Sequence, residues 1–510
     1  MGIKLTLLVI FFTVMVAVGV YSRRHARSVD GFVLGGRSVG PWLTAFAYGT
    51  SYFSAVVFVG YAGQFGWKFG IASTWIGIGN AVIGSLLAWV VLGRRTKVMT
   101  QHLQSKTMPD FFGERYESQA LKVAASLIVF VFLIPYTASV YNGLSRLFEM
   151  AFHIPYTYCV AVMAVFTALY VILGGYMATA INDFIQGIIM LIGIGAVIGA
   201  VLNGQGGFLE AIRRMAEIPS DIAVTEGQPG AFTSFFGPDP VNLAGVVILT
   251  SLGTWGLPQM IGKFYAIKDE RAINTGTVIS TVFAIVVAGG SYFLGGFGRL
   301  YDGSKIRAAE TGAVVYDSII PHMLSGLPDF LIGIVVVLVL SASMSTLSSL
   351  VLTSSSTMTL DLIKGHVVKK MSEKQQVMTM QALIVVFLAV SVLIALDPST
   401  FIAQLMGISW GALAGAFLAP FLYGLYWKRV TKTAVWVSFA TGVGITVSNL
   451  FLGYISSPIN AGVVAMVVGV IVVPVVSVLT PKPDAEKMEA LFSCYDEKVT
   501  ITKKRSLDVK

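Results

Sequence analysis

The sequence predicts an all-α integral membrane protein of about 13 transmembrane helices, arranged as two inverted five-helix halves with one leading and two trailing helices. Three observations lead there. First, 55% of the residues are hydrophobic and 12% charged, a balance outside the range of soluble globular chains. Apolar runs of about 20 residues, the length needed to cross a bilayer, recur along nearly the whole chain. Second, Lys and Arg concentrate in alternate connections, which sets an orientation. Third, the first span of each proposed half carries a related interruption near mid-depth.

The runs fall at 3–21, 41–64, 71–93, 120–148, 157–174, 180–202, 242–262, 273–298, 328–359, 378–396, 399–426, 433–452 and 458–479. The first lacks a strongly basic leader and a small-x-small cleavage site before YSRRHAR, so it reads as a retained helix. With the N-terminus outside, the inner segments hold 27 of the 35 Lys and Arg, including RRHAR, the stretch from RRTK to Lys122, and Lys263 to Arg271. An outside N-terminus, a cytoplasmic C-terminus and a multi-pass place in the plasma (cell) membrane follow. The net charge of +9 is explained by these loops, so it is no signal for nucleic acid. One membrane domain covers 1–480, with inverted repeats at about 41–202 and 242–426. Residues 481–510 form a polar cytoplasmic tail, expected to be mobile. The connections 203–241 and 299–327 read as solvated connectors or as walls of an outer vestibule.

Runs 2 to 6 and 7 to 11 contain five spans each. An odd-numbered repeat must be inverted in the membrane, an architecture found in carriers. The interruptions are YGTSYFSA (48–55) and LGTWGLPQ (252–259), each with Gly-Thr followed within two residues by an aromatic. Gly256 and Pro258 weaken the second helix further, by flexibility and by a missing N–H. Unwound backbone at mid-depth is tolerable only where it lines protein or a wet cavity, so both breaks mark a binding region. Freed helix N-termini favour an anionic group there, and freed carbonyls favour a cation.

The stretch SASMSTLSSLVLTSSST (341–357) follows the apolar PDFLIGIVVVLVL, and twelve hydroxyl side chains fall between Ser341 and Thr359. At helical spacing Ala342, Ser345, Thr346 and Ser349 share one face, with Ser348 beside them. A neutral, oxygen-rich face suits a hard cation such as Na+; close helix packing accounts for the same small residues. Asp183, in GGYMATAINDFIQG (174–187), is either an interfacial helix cap or a partner of that face. Cys159 and Cys494 form no framework, and all five histidines lie in or beside connections. That weighs against an intramembrane enzyme. A channel would want a filter motif, and none is present.

Many ordered segments carry a family resemblance: FVLGGRSVGPWLTAFAYGTSYFSA (32–55), YTASVYNGLSRLFE (136–149), ALYVILGGYMATAINDFIQG (168–187), GLPQMIGKFYAIKD (256–269), SASMSTLSS (341–349) and GLYWKR (424–429). From about residue 20 to 479 the chain resembles the sodium:solute symporter family, especially its sodium/proline and sodium/pantothenate branches. The resemblance implies a LeuT-type core and alternating-access import of a small organic solute, carboxylate-bearing, with co-transported Na+, one or two ions per cycle. It implies a first Na+ site from Thr50, Phe53, Ala342, Ser345 and Thr346, and a possible second from Asp183, Ser345, Ser348 and Ser349. The matching solute positions are Tyr52, Ser54, Tyr136, Thr254, Trp255 and Pro258. Where the proline branch has aspartate in an S-D-M-S run this chain has Tyr52, as the pantothenate branch similarly does. Amino acids such as proline, pantothenate and monocarboxylates all stay open, as does proton coupling through Asp183. Arg146 is expected to pair with Glu149 at i+3. The sequence assigns no oligomeric state.

Overall fold

A computed structural model describes residues 2–368, 370–396 and 402–496. The start of the predicted run 399–426 and residues 497–510 of the tail lie outside the described residues. Every named element is helical, as apolar segments in lipid must be when no sheet can close on itself.

Among the described residues, ten helices are long and apolar enough to cross a membrane, or eleven if one bent pair counts as a single span. The expected count of 13 is therefore not reached by length and composition. Two long runs cross predicted boundaries: Tyr156–Gly204 holds both 157–174 and 180–202, and Val56–His102 joins the end of 41–64 to 71–93. The second run breaks at Gly175 (φ 53°, ψ −145°). A side chain there would be strained, and its Cβ would lie 2.9 Å from the Phe32 carbonyl oxygen.

Both predicted interruptions are present, and they adopt the same backbone conformation. Helix α1 (Pro41–Tyr52) ends on Phe53, with φ −94° and ψ 121°. Helix α2 (Pro240–Leu252) passes through a tight turn, Gly253–Gly256, to Leu257, with φ −91° and ψ 118°. Helix α3 (Pro258–Ala266) then leaves at 47° to it. In each half the extended residue stands four positions after the glycine of the Gly-Thr pair, Gly49 or Gly253. One extended residue releases the carbonyls of the preceding turn from helical bonding.

Two helices form the centre. Helix α4 (Asp329–Thr357) and helix α5 (Ile402–Tyr426) have 78% and 83% of their most apolar windows buried by protein, whereas the leading helix has 22%. Burial on all sides explains how α4 can be hydroxyl-rich: its neighbours are helices, not lipid. Ser355 and Ser356 bond back to the Leu352 carbonyl of their own helix, a packing role. Between Val56–His102 and Glu270–Gly295, Gly66 and Gly295 bring two backbones together, and a Cβ on Gly66 would fall on the Gly295 carbonyl. Gly66→Ala is expected to destabilise the protein by about 1–3 kcal/mol through overpacking against backbone that cannot move aside. Thermal unfolding in detergent would read this, and an unchanged midpoint would contradict the close contact.

The connections do more than link helices. Asp221 binds Arg299 at 2.6 Å, and both line a cavity of about 480 Å³ with Trp67, Lys68 and Asp239. Burial lowers the Arg299 guanidinium from its ordinary value, and Asp221 opposes that shift. Part of the tail, expected to be mobile, is the helix Ala485–Phe492. Met488 contacts Arg115 at 3.2 Å, and the Arg115 guanidinium lies over the Phe492 ring. Arg146 departs from its expected i+3 pairing: its guanidinium sits 5.9 Å from the Tyr156 ring.

Candidate cation and solute sites

The break after α1 delivers backbone oxygens to one point on α4. The Thr346 hydroxyl lies 3.4 Å from the carbonyl oxygens of Thr50 and Ser51, 3.3 Å from that of Phe53 and 3.2 Å from that of Ala342. A threonine hydroxyl carries one proton, so it can satisfy only one of those four acceptors. The others converge on an acceptor-only space, buried at 0% exposure for Thr50, Phe53, Ala342 and Thr346. Oxygens held about 2.4 Å from a common hard cation and at right angles to one another stand about 3.4 Å apart, so this spacing fits ligands around one ion. Four of the five residues expected in the first set thus come together, and Ser51 joins them. The fifth, Ser345, turns its hydroxyl elsewhere.

That hydroxyl lies near the Asp183 carboxylate, without hydrogen-bond contact. Asp183 lies within Tyr156–Gly204 and is 0% exposed. It is not an interfacial cap. Its neighbour in charge is Lys263, on α3 and 3% exposed, with Nζ 3.8 Å from Asp183 Oδ2. Lys263 also donates to Ser349 Oγ at 3.0 Å, and Ser349 shares a 2.7 Å hydrogen bond with Ser51. Ser348 donates to the Ser345 carbonyl at 2.8 Å. The four residues expected in a second cation set are therefore near one another, together with a lysine that reads from sequence as part of a basic inner loop. Lys263 and Ser349 also line a small cavity of about 50 Å³, bounded by Lys106 and Thr107 toward the basic-loop end.

The expected solute residues divide into groups. Tyr52 and Tyr136 both approach Trp410 of α5, each with ring centroids 5.9 Å from it. Ser54 lies beside the Tyr136 hydroxyl. Thr254 and Trp255 face the run Val56–His102 instead: Thr254 Oγ1 is 3.4 Å from the Gly84 carbonyl, and the Trp255 indole donates to the Ile83 carbonyl at 3.0 Å. Pro258 lines the small cavity beside Lys263.

Around the aromatic group, the Tyr61, Tyr136 and Tyr292 hydroxyls, the Trp410 indole N–H, Ser409 Oγ and Asn80 Nδ2 are buried polar atoms that lack a hydrogen bond of full geometry, with Tyr136 near Trp410 and Tyr292 near Asn80. Each such group costs about 1–3 kcal/mol unless water or a ligand satisfies it. A cluster of them beside a helix break is a candidate for a polar binding region. Trp410, Tyr292 and Asn80 were not legible as site residues. A lone tryptophan between small residues in ISWGALAG (408–415) is the one available signal, and it suits helix packing equally well.

The matches to known proteins extend over nearly the same length as this architecture. A model of the sodium:solute symporter family matches residues 32–442. The osmoregulated proline transporter OpuE of Bacillus subtilis is 27% identical over 96% of this chain and 97% of its own. The sodium/proline symporter of Staphylococcus aureus is 29% identical over 94% and 93%. In fold, the chain is similar to a Na+-coupled sialic acid symporter in a substrate-bound outward-open state (TM-score 0.74, 16% identity, 94% of this chain and 99% of that one). It is also similar to Mhp1, a nucleobase-cation-symport-1 family transporter (TM-score 0.53, 12% identity, 91% and 98%). These neighbours share the LeuT-type core of inverted repeats. With that core, its paired helix breaks and a family match over most of its length, the chain belongs to the sodium:solute symporter family, a membrane transporter that couples sodium to a small solute and not an enzyme.

Proposed function

We propose that the chain imports a small carboxylate-bearing solute across the cell membrane, with its N-terminus outside and its C-terminus in the cytoplasm. The observation that carries the coupling step is the convergence of four carbonyl oxygens on the Thr346 hydroxyl. Three of those carbonyls belong to the α1 break and one to α4. A sodium ion held there ties the break to the central helix. A ligand shifts a conformational equilibrium only by its differential affinity, so this ion favours the arrangement in which break and helix are joined. That arrangement also fixes Tyr52 and Ser54, next to the break, against Tyr136 and Trp410, which completes the solute space. The membrane potential adds about 2.3 kcal/mol per charge per 100 mV for inward movement. Rocking of the two halves then opens the inner side and releases both ligands.

The printed names of the two curated relatives make proline the first solute to test. Tyr52, placed where the proline branch carries an acid, widens the panel to pantothenate and monocarboxylates. The test is uptake of this panel, with sugars as controls, into proteoliposomes under an imposed sodium gradient. Saturable uptake of a carboxylate that collapses without sodium is expected. Equal uptake under a proton gradient in sodium-free buffer would overturn the coupling assignment.

The solute space yields its own prediction. Trp410→Ala removes the ring shared by Tyr52 and Tyr136, and truncations of buried aromatic contacts cost about 2 kcal/mol or more in binding. The KM for the transported solute should rise about thirtyfold, with sodium activation little changed. A KM equal to wild type would move the solute away from Trp410.

A further inference from the structure

We infer that Lys263 is a built-in cation at the second candidate cation site, so that this chain binds one sodium ion and not two. The inference rests on the reading of the Thr346 cluster as a sodium site.

Lys263 reaches the site from α3, the second half of the broken span, and not from the central helix that supplies the hydroxyls. Its ammonium meets Ser349 Oγ at 3.0 Å, Asp183 Oδ2 at 3.8 Å and the Tyr176 ring at 5.3 Å. Those partners are a hydroxyl, a carboxylate and an aromatic face, the set a desolvated lysine needs. Among the described residues, Asp183 is the one carboxylate in ion-pair contact with Lys263. The charges therefore balance one to one in a space where both side chains are almost fully buried. A sodium ion added beside Asp183 would leave two positive charges facing one negative charge, where burial weakens their screening by solvent.

Two of the three hydroxyls are committed as well, Ser345 Oγ alone making no hydrogen bond. Ser349 already accepts from Lys263 and shares a hydrogen bond with Ser51, and Ser348 donates to the Ser345 carbonyl. The link through Ser51 matters for coupling, because the Ser51 carbonyl is one of the four oxygens facing Thr346. The tethered cation is thus two hydrogen bonds away from the sodium cluster. It braces the second helix break against the first without itself being transported.

The test is equilibrium binding of radioactive sodium to the purified full-length protein in detergent, without solute. One ion per chain is expected for wild type, two for Lys263→Gln, and one again for the double variant Lys263→Gln/Asp183→Asn. Two ions bound to wild type, or one bound to folded Lys263→Gln, would overturn the inference. If Lys263→Gln does not fold, Asp183→Asn in the wild-type background decides: it retains one ion if Lys263 already fills the site, and loss of that ion overturns the inference. Thr346→Ala separates the underlying reading, since it should weaken binding of the single wild-type ion about tenfold. Wild-type sodium affinity in Thr346→Ala, or no sodium bound to wild type at all, would overturn the reading of the Thr346 cluster and this inference with it.

Discussion

Alanine at position 346 is expected to weaken sodium activation of uptake by about tenfold or more while the protein still folds and reaches the membrane. Hydrogen-bonding and ligand contacts to a charged group are worth about 1.5–3 kcal/mol each, and tenfold corresponds to about 1.4 kcal/mol. The substitution removes the only side-chain oxygen in a cluster otherwise built from backbone carbonyls of Thr50, Ser51, Phe53 and Ala342. Those carbonyls stay where the break puts them, so the site is damaged and not abolished. The half-activating sodium concentration should rise, and maximal uptake at saturating sodium should largely return. Serine at the same position keeps the oxygen and should sit near wild type. An unchanged half-activating concentration in Thr346→Ala proteoliposomes would remove the assignment and leave that hydroxyl its hydrogen bond to the Ala342 carbonyl of its own helix.

Asp183→Asn should lower stability in detergent by about 3 kcal/mol, the scale seen when one partner of a buried ion pair is deleted. Asp183 and Lys263 are 0% and 3% exposed, so solvent cannot compensate the lysine left behind. Adding Lys263→Gln should recover part of the loss, because the double variant buries two neutral groups where the single variant buries an unpaired charge. Measured as a double-mutant cycle by thermal or denaturant unfolding, the two changes should be non-additive by about 1 kcal/mol or more. Additive losses would mean that the 3.8 Å contact carries no coupling, and the lysine would then need another partner.

Much of this arrangement can be read directly from residue types. Gly-Thr followed by an aromatic, once in each half, located both breaks, because helix-weakening residues at mid-depth have few structural uses. The i, i+3, i+4, i+7 spacing located the oxygen-rich face of α4. One residue was misread for a physical reason. Lys263 follows a proline by five residues and precedes Lys268 and Arg271, so a linear reading assigns it to a basic loop. In three dimensions α3 carries it inward to Asp183. The runs Val56–His102 and Tyr156–Gly204 each turn at a positive-φ glycine, Gly70 and Gly175, between the stretches that composition separates.

The proposed solute space shows the same divide. Tyr52, Ser54 and Tyr136 were identified by their match to family positions, and they do approach one another. Thr254 and Trp255, matched in the same way, turn toward Ile83 and Gly84 of the neighbouring span. Trp410, far along the chain, supplies the ring that Tyr52 and Tyr136 share.

By itself the sequence determined the membrane setting, the all-helical class, the inverted halves, both helix breaks and the hydroxyl face, since each follows from local composition and period. Tertiary structure alone decided which carbonyls surround Thr346, that Ser345 turns to Asp183, and that Lys263 stands beside that carboxylate. These are pairings between segments about 80 to 300 residues apart in the chain, and no local period encodes them. They depend on how broken helices cross in a space where every charge and every freed carbonyl must find a partner.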